Sequence, residues 1–393
     1  MILIELKTLI PKTISKSLFL FIMLSLSINL KPFAFDFPNN YPSNNDIFFT
    51  DSNSLYFNFN NTNFLWNNEY FNDVVEGYTL IGYHVTPTFE YHFSKNIKVE
   101  AGIHLLQYSG LDKFTDALPV YRATYHNQGF ALIMGTLYGT VNHKLPDPLS
   151  NFENYLTHKL ENGVQAIWNK ERFELDIWLD WQNFIFVDDS TQEKLVAGIS
   201  ANTYIFKNDS WELSAPAYAM VMHRGGQIDA SQANMLTALN YGLGLNLKRP
   251  LNNKIINSVE GRFKYLGFTD NSPTVESIFN NGYGYLSNIR LNHKESFFQL
   301  GYWHSEQFLS LQGHPMYQSK SVKGSSFDAN ERNLFTTKLQ YSKTIYRGIY
   351  LGLLGETFYD VNTGNFDFTT GVSLIIKQNF FLKQFNKPLH SGH

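Results

Sequence analysis

Cysteine is absent from the 393 residues of the chain, which excludes disulfide bonds, thiolate metal sites and cysteine nucleophiles. Charged residues are scarce at 17%, against about a quarter in ordinary soluble domains. The net charge of -3 gives no support for a nucleic-acid partner. Beyond the N-terminal region no apolar run reaches the roughly 18 residues that a membrane helix needs, so a bundle of transmembrane helices is excluded.

Catalytic sequence patterns are missing too. The chain has no H-E-x-x-H and no G-x-S-x-G, and no G-x-G-x-x-G stands between a strand and a helix. We therefore predict no catalytic residues, no cofactor and no metal site, and a protein that is not an enzyme. A hydrolase stays open as an alternative, because Ser, His and acidic side chains that meet from several strands leave no local motif.

The N-terminal region has the order of a secretory signal. Lys7, Lys12 and Lys16 precede an apolar run over 17–30, and a basic stretch followed by an apolar one is typical of exported proteins. We predict a cleaved signal peptide over 1–34. An uncleaved membrane anchor is the alternative.

What the sequence does contain is alternation. The stretch "RFELDIWLDWQNF" at 172–184 places Phe173 and Ile177 on one parity and Glu174 and Asp176 on the other, which indicates a β-strand with one apolar and one polar face. Similar runs cover nearly the whole chain after residue 54, and we predict about sixteen strands (14 to 16). The alternation alone fits both a soluble sandwich and a membrane barrel.

The connections between these runs decide the topology, because they alternate between short and long. An up-and-down transmembrane barrel with short periplasmic turns and long extracellular loops requires this order, whereas a Greek-key sandwich does not. The short turns are predicted at Ser94, Asn127, Lys170, Asn208, Pro250, Lys294 and near Lys343. The long loops are predicted at 62–79, 108–118, 140–161, 185–193, 224–235, 269–282 and 306–333, followed by a short last outer loop at 360–365.

Closure of so many strands into a barrel predicts which face of each strand contacts water. An antiparallel barrel of about sixteen strands is too wide for side chains to fill, so the polar parity faces a lumen and the apolar parity faces lipid. We therefore predict an all-β, transmembrane, antiparallel up-and-down barrel. The predicted divisions are the signal peptide 1–34, a polar N-terminal segment 35–53, the barrel 54–382 and a C-terminal tail 383–393.

Aromatic residues, 16% of the chain, gather near the ends of the predicted strands. This position is typical of the interfacial girdles of membrane barrels. The residues predicted to form the girdles are Trp181, Phe184, Trp211, Tyr265, Phe268, Tyr283 and Tyr285.

Eight outer loops on about sixteen strands resemble the trimeric general porins of the outer membrane. The run "LIMGTLYGTVNHKLPDPLSNF" at 132–152 is similar to uncharacterised Bacteroidota-type outer-membrane proteins, and Thr369, Gly371, Leu374 and Ile376 resemble a C-terminal recognition strand. The usual terminal aromatic is displaced, because residues 380–393 follow. The resemblance implies a Gram-negative outer membrane, contact with outer-membrane lipid, barrel-assembly machinery as a partner during biogenesis, and a homo-oligomer as one option.

Charged and polar side chains on the inward parity carry both signs. A ring of one sign would indicate ion selectivity, and none is evident. We therefore predict a porin-like channel for passive diffusion of small polar solutes with weak charge selectivity. The lumen-lining candidates are Lys98, Glu100, His104, Arg122, His126, Glu174, Asp176, Trp178, Asp180, Glu260, Arg262, Lys264, Arg290 and Lys338.

The third outer loop, at 140–161, is the candidate constriction, because the third loop of general porins folds inward. Its charged residues are Lys144, Asp147, Glu153 and Lys159. The hypothesis is that this loop and the cluster of Arg262, Lys264 and Arg290 form opposite walls. The alternative is that these charges pair across strands.

Three further questions stay open at this level. Trp178 lies on the polar parity between two aspartates. Its role is either a stacking platform for sugars or a packing contact for an inward loop. Glu174, Asp176 and Asp180 form a hydrophilic row, for which Ca²⁺ binding is the alternative. The loop 306–333 is a plug, a lid or a ligand-recognition surface, and the alternative for its apolar start, 308–311, is simple packing over the barrel mouth. For the whole protein, the alternatives to a channel are a non-catalytic assembly, surface-binding or secretion-associated component, and an outer-membrane phospholipase or protease.

Overall fold

The computed structural model describes residues 52–385, except 158, 159, 227, 275, 276, 295, 325 and 326. The predicted signal peptide and nearly all of the predicted polar segment 35–53 lie outside the described residues. The same is true of 386–393, the greater part of the predicted tail.

Sixteen strands make up most of the described chain. Among the described residues, no helix is long and apolar enough to cross a membrane. The helical pieces are α1 (Asn154–Thr157) and the 3₁₀ turns Thr140–His143 and Pro315–Tyr317. The strands are β1 (Ser54–Glu69), β2 (Thr79–His92), β3 (Ile97–Tyr108), β4 (Asp116–Asn127), β5 (Phe130–Thr136), β6 (Asn162–Lys170), β7 (Phe173–Asn183), β8 (Lys194–Lys207), β9 (Glu212–Arg224), β10 (Leu236–Pro250), β11 (Ser258–Asp270), β12 (Asn281–His293), β13 (Ser296–Glu306), β14 (Glu331–Tyr346), β15 (Ile349–Asp360) and β16 (Phe366–Gln384).

The strands form one closed antiparallel barrel. Each strand pairs with its neighbours in the chain, and β1 closes the barrel against β16. Closure satisfies the backbone groups of every strand, which is the condition for a sheet to stand in lipid. The predicted fold class is therefore confirmed. The connections at one end, here the loop end, are L1 (70–78), L2 (109–115), L3 (137–161), L4 (184–193), L5 (225–235), L6 (271–280), L7 (307–330) and L8 (361–365).

Several predicted boundaries were wrong. β1 continues to Glu69 through a stretch predicted as loop. The turn between β14 and β15 lies at 347–348, where Gly348 has a φ of +74°, and not at Lys343. The left-handed φ suits glycine, which has no Cβ to clash with the following carbonyl. β16 extends to Gln384, beyond the predicted end of the barrel at 382.

Strand alternation places apolar side chains outside and polar side chains inside. On β7, Phe173, Ile177 and Trp181 are exposed on the outer face, whereas Asp176 and Asp180 are buried inside. Six of the predicted girdle residues are absent from the buried core. The prediction of Phe268 as a girdle residue was wrong, because its side chain is only 2% exposed and faces inward. Its position in β11 has the parity of Arg262 and Lys264, not that of the lipid-facing residues.

The inward face changes character along each strand. On β11, Arg262 and Lys264 lie toward the turn end, and Leu266 and Phe268 follow on the same parity toward the loop end. The apolar inward positions pack with side chains of L3 and L7 into one core. Each large side chain buried in this way contributes about 1.5 to 3 kcal/mol. An apolar core on the inner face near the loop end was not expected from the polar parity.

Candidate functional site

L3 folds into the barrel and is held there by ionic contacts. Its 3₁₀ turn ends at His143, and Lys144 adopts a left-handed φ of 54°. The His143 ring lies between two carboxylates, with Nδ1 2.7 Å from Asp176 Oδ2 and Nε2 2.8 Å from Glu161 Oε2. Asp176 belongs to β7, so this contact ties the loop to the barrel wall.

The two carboxylates determine the charge of His143. Burial alone would lower its pKa, but the charge of Glu161 and hydrogen bonds to Asp176 and Glu161 raise the pKa to about 10. The imidazole is therefore protonated at neutral pH. With both ring nitrogens donating to carboxylates, His143 acts as a clamp and has no free nitrogen to accept a proton from a nucleophile.

Trp178 completes this clamp. Its ring stacks on the His143 ring, with centroids 3.7 Å apart and planes at 14°. A cation over an indole face is an attractive arrangement. The opposite residue of β8 is Gly198, and a Cβ there would lie 2.1 Å from the Trp178 ring. The structure thus places Trp178 against an inward loop, the packing alternative raised from the sequence.

L3 reaches other parts of the wall through its charged residues. Lys144 Nζ is 2.9 Å from Glu174 on β7, and Asp147 is 3.4 Å from Lys338 Nζ on β14. Glu153 accepts a hydrogen bond of 2.7 Å from Asn68 Nδ2 on β1. L3 therefore bridges the lumen between separate strands.

L7 packs beside L3 in the same half of the lumen. Phe308 and Met316 are fully buried in the loop-end core. Arg332 of β14, 1% exposed, donates to the carbonyls of Met316 and Gln318 and pairs with Asp360 at 2.7 Å. The His314 amide donates to the Asp147 carbonyl at 2.9 Å. L3 and L7 are thus fastened to each other as well as to the wall.

A chain of ion pairs connects charged side chains on the inner face of β2, β3 and β4. Lys98 Nζ lies 2.9 Å from carboxylate oxygens of both Glu90 and Glu100. Glu100 also accepts from Arg122 Nη1 at 2.6 Å, and Arg122 Nε donates to the Thr136 carbonyl at 2.7 Å. All four charged side chains are buried. These contacts join the inner faces of three neighbouring strands.

A cavity of about 590 Å³ lies on the other side of the lumen. L3 forms one of its walls, and residues of β6 to β14 form the rest. Its volume is within the range of small-molecule sites, roughly 300 to 1,000 Å³. The charged residues that line it are His143, Lys144, Asp147, Glu174, Asp176, Arg262, Lys264, Arg290 and Lys338.

The structure brings some of the predicted lumen residues to this cavity and not others. Each of the fourteen lumen candidates occupies an inward position by strand alternation. Glu174, Asp176, Arg262, Lys264, Arg290 and Lys338 line the cavity, together with Lys144 and Asp147 of L3. Lys98, Glu100, His104, Arg122, His126, Trp178, Asp180, Glu260 and Glu153 do not. Lys159 lies outside the described residues.

Two hydroxyl–imidazole pairs are relevant to a hydrolase. His104 Nδ1 is 2.8 Å from Thr86 Oγ1 inside the barrel, and His223 Nδ1 is 2.9 Å from Thr237 Oγ1 on the outer face. In the part of the chain that the structure describes, no carboxylate hydrogen-bonds either imidazole. Within the same residues, no group of three or more His, Asp or Glu is arranged to hold a metal ion.

Sequence reasoning missed Glu161, Arg332 and the apolar L7 anchors Phe308 and Met316. Glu161 gave no local pattern, because its partner His143 is eighteen residues away in a loop. The L7 anchors did have a sequence correlate. The inward parity of the strands turns apolar near the loop end, as at Leu266, which indicates that something apolar packs there.

Comparison with known proteins gives a family and a fold. The family model described as lipid A 3'-O-deacylase-type matches residues 47–385. Among curated proteins, none matches the chain. The solved structure of OpdL from Pseudomonas aeruginosa aligns with a TM-score of 0.52 at 13% identity, over 84% of this chain and 99% of OpdL.

Two other outer-membrane proteins align less closely. OprD from Pseudomonas aeruginosa has a TM-score of 0.49 at 10% identity, over 84% of this chain and 94% of OprD. A loop L8 deletion mutant of OmpT from Vibrio cholerae has a TM-score of 0.49 at 9% identity, over 84% and 100%. Such low identities concern the fold alone. Because the family model spans most of the sequence, the chain belongs to the lipid A 3'-O-deacylase-type family.

Proposed function

We propose that this protein is a porin-like channel of the outer membrane, through which small polar solutes diffuse passively. The observation that carries the proposal is the cavity inside the lumen, bounded by L3 on one side and by polar strand residues on the other. Its lining includes both basic and acidic side chains, such as Arg290 and Glu174. A pore with walls of both signs is expected to discriminate weakly between anions and cations.

L3 and L7 set the size limit of this passage. Both loops pack in the loop-end half of the lumen through a shared apolar core, and L3 is tied to β7 and β14 by Glu174, Asp176 and Lys338. A lumen narrowed in this way is expected to admit small solutes and exclude large ones.

Planar-bilayer conductance and liposome swelling test the proposal on the purified protein. We expect single-channel steps, and faster swelling with a pentose than with a trisaccharide. The triple variant Arg262→Gln, Lys264→Gln, Arg290→Gln removes three cations from one wall, so its ion preference should move toward cations. Lys248→Gln, on β10 outside the cavity lining, is the matched control. Wild-type protein that gives neither steps nor swelling contradicts the proposal.

A second candidate function, hydrolysis of an acyl ester of lipid A, is favoured by the family to which the chain belongs. The pair of His223 and Thr237 is the candidate site, because it faces outward at the loop end, where lipid can reach it. Fatty-acid release from lipid A in mixed micelles tests this function. We expect His223→Ala to abolish release and the lumen variant His104→Ala to keep it, and wild-type protein without release contradicts the candidate.

A further inference from the structure

Lys264 is a buried lysine on the inner face of β11. It is 6% exposed and its side chain lines the cavity. No hydrogen bond or ion pair joins it to another residue in the described ranges. Burying an ammonium group without a hydrogen bond or ion pair carries a desolvation cost. A solute that brings a negative charge to Lys264 would remove that cost.

The carboxylates of the cavity wall are already engaged. Glu174 pairs with Lys144, Asp176 with His143, and Asp147 with Lys338. These contacts compensate the acidic residues from within the protein, whereas Lys264 makes no hydrogen bond or ion pair with the described residues that line the cavity. The local charge balance on this wall therefore favours an anion.

A row of three polar residues lies directly beside Lys264. The strand register aligns Asn246 of β10, Arg262 of β11 and Asn288 of β12 across the inner face. Arg262 Nε and the Oδ1 atoms of both asparagines are buried and have no hydrogen-bond partner. All three residues contribute to the cavity wall. The row thus combines an unused donor with two unused acceptors.

Unused donors and acceptors in one place indicate the chemistry of the ligand. An oxyanion accepts hydrogen bonds and carries the charge that Lys264 lacks. It cannot satisfy the Oδ1 atoms of Asn246 and Asn288, which need a donor such as a hydroxyl group. A small molecule with both an oxyanion and hydroxyl groups would satisfy the whole set.

We propose that Lys264 and the row of Asn246, Arg262 and Asn288 form a binding site for a small hydroxylated oxyanion, of the sugar-acid or sugar-phosphate class. The oxyanion binds Lys264 and Arg262, and hydroxyl groups donate to the asparagines. This rests on the proposed channel function only for the route by which the solute enters. Binding itself requires no flux.

Calorimetric titration of the full-length protein in detergent tests the site with four probes: gluconate, glucose 6-phosphate, inorganic phosphate and glucose. Gluconate and glucose 6-phosphate should bind, each at least about tenfold more tightly than glucose, which lacks the charge. Inorganic phosphate should bind more weakly than glucose 6-phosphate, because it lacks the sugar hydroxyls. Comparing gluconate with glucose 6-phosphate distinguishes the two ligand classes.

Variants locate the binding. Lys264→Met should weaken gluconate and glucose 6-phosphate binding by at least about tenfold, whereas Lys264→Arg keeps the charge and should bind both. Lys248→Met removes the same charge outside the cavity lining and should leave binding unchanged. The heat-modified mobility of the folded barrel in gel electrophoresis checks that each variant is folded.

Equal binding of glucose and gluconate, or full affinity in Lys264→Met, overturns the site. Liposome swelling with a neutral pentose separates this outcome from failure of the channel. Protein that admits the pentose but binds no anion refutes only the site. Protein that binds the anions but admits no pentose refutes only the channel.

Discussion

The two sides of the lumen use buried charge in opposite ways. On the inner face of β2 to β4, Glu90, Lys98, Glu100 and Arg122 form a continuous chain of short ion pairs. On the inner face of β10 to β12, Arg262 pairs with Glu260 at 2.6 Å, but Lys264 makes no hydrogen bond or ion pair in the described chain. Both sides satisfy the same sequence pattern of charged residues on an inward parity. Inward placement therefore does not distinguish a structural charge from one available to a solute.

The difference has a physical cause. A buried ion pair stabilises only when its partners and hydrogen bonds compensate the loss of hydration. The charges of Lys98 and Arg122 are compensated by the carboxylates of Glu90 and Glu100. Neither side chain is therefore available to bind a charged solute. The cavity beside Lys264 leaves room for a compensating group to arrive from outside.

The largest expected effect comes from breaking the paired side. Glu100→Ala leaves Arg122 and Lys98 buried with one carboxylate fewer, and removal of one partner of a buried pair costs roughly 3 to 5 kcal/mol. Equilibrium unfolding in urea with the barrel in detergent measures the loss. Glu171→Ala, in an exposed turn, is the control and should change stability by less than about 0.5 kcal/mol. Equal stability of the two variants would show that the ion-pair chain is not structural.

The contacts of His143 in L3 should make the stability of the folded barrel fall at alkaline pH. Because the pKa of folded His143 lies above its unfolded value of about 6.5, its contribution is fully present below that value and is lost as the pH rises through about 10. The urea midpoint of the wild type should therefore decline between these pH values.

His143→Gln separates the clamp from other titrations. The variant loses charge-assisted hydrogen bonds worth roughly 1.5 to 3 kcal/mol each, so it should be less stable at pH 7 and nearly independent of pH over the same interval. A variant whose midpoint declines with pH as steeply as the wild type would assign the dependence to other groups.

The contribution of L7 to the stability of the barrel should instead be lost at acidic pH. Burial lowers the pKa of His314 to about 4, although Asp147 and Glu153 oppose this. Because the folded pKa lies below the unfolded one, the contribution is present above about 6.5 and is lost as the pH falls through about 4.

His314→Asn tests this contribution. The amide can still accept the hydrogen bond that Met316 N donates to His314 Nδ1 but does not titrate, so a loss of about 1 kcal/mol at pH 7 is expected. The acid decline of the urea midpoint should become shallower than in the wild type. An unchanged decline would exclude His314 as its source.

The barrel was predictable because its information is local. The alternation of apolar and polar residues identifies the two faces of each strand. The order of short and long connections then predicts the topology without knowledge of any contact. The errors arose where composition conflicted with structure. The stretch 62–69 was predicted as part of a loop, yet β1 continues through it. Asparagine is rare in strands, and here side-chain hydrogen bonds such as the one from Asn68 to Glu153 accommodate it.

The site was predictable only in part. Parity identified which charged residues face inward, and the porin resemblance drew attention to L3. Which charges are paired depends on the path of L3 across the lumen, as in the contacts of His143 with Asp176 and Asp147 with Lys338. Such contacts join residues distant in sequence, so no spacing encodes them. The unpaired state of Lys264 likewise emerges only after every neighbour is placed.

The smallest expected effect is the one that defines the cavity side. Lys264→Met replaces a buried amine with an apolar side chain of similar length, which removes a desolvation cost and breaks no hydrogen bond or ion pair in the described part of the chain. Its urea midpoint without added ligand should equal or exceed that of the wild type, in contrast to Glu100→Ala. Saturating gluconate should raise the wild-type midpoint, because binding to the folded state alone stabilises it, and should leave Lys264→Met unchanged. A destabilised Lys264→Met barrel would mean that Lys264 is paired as on the other side, and the two sides would then not differ.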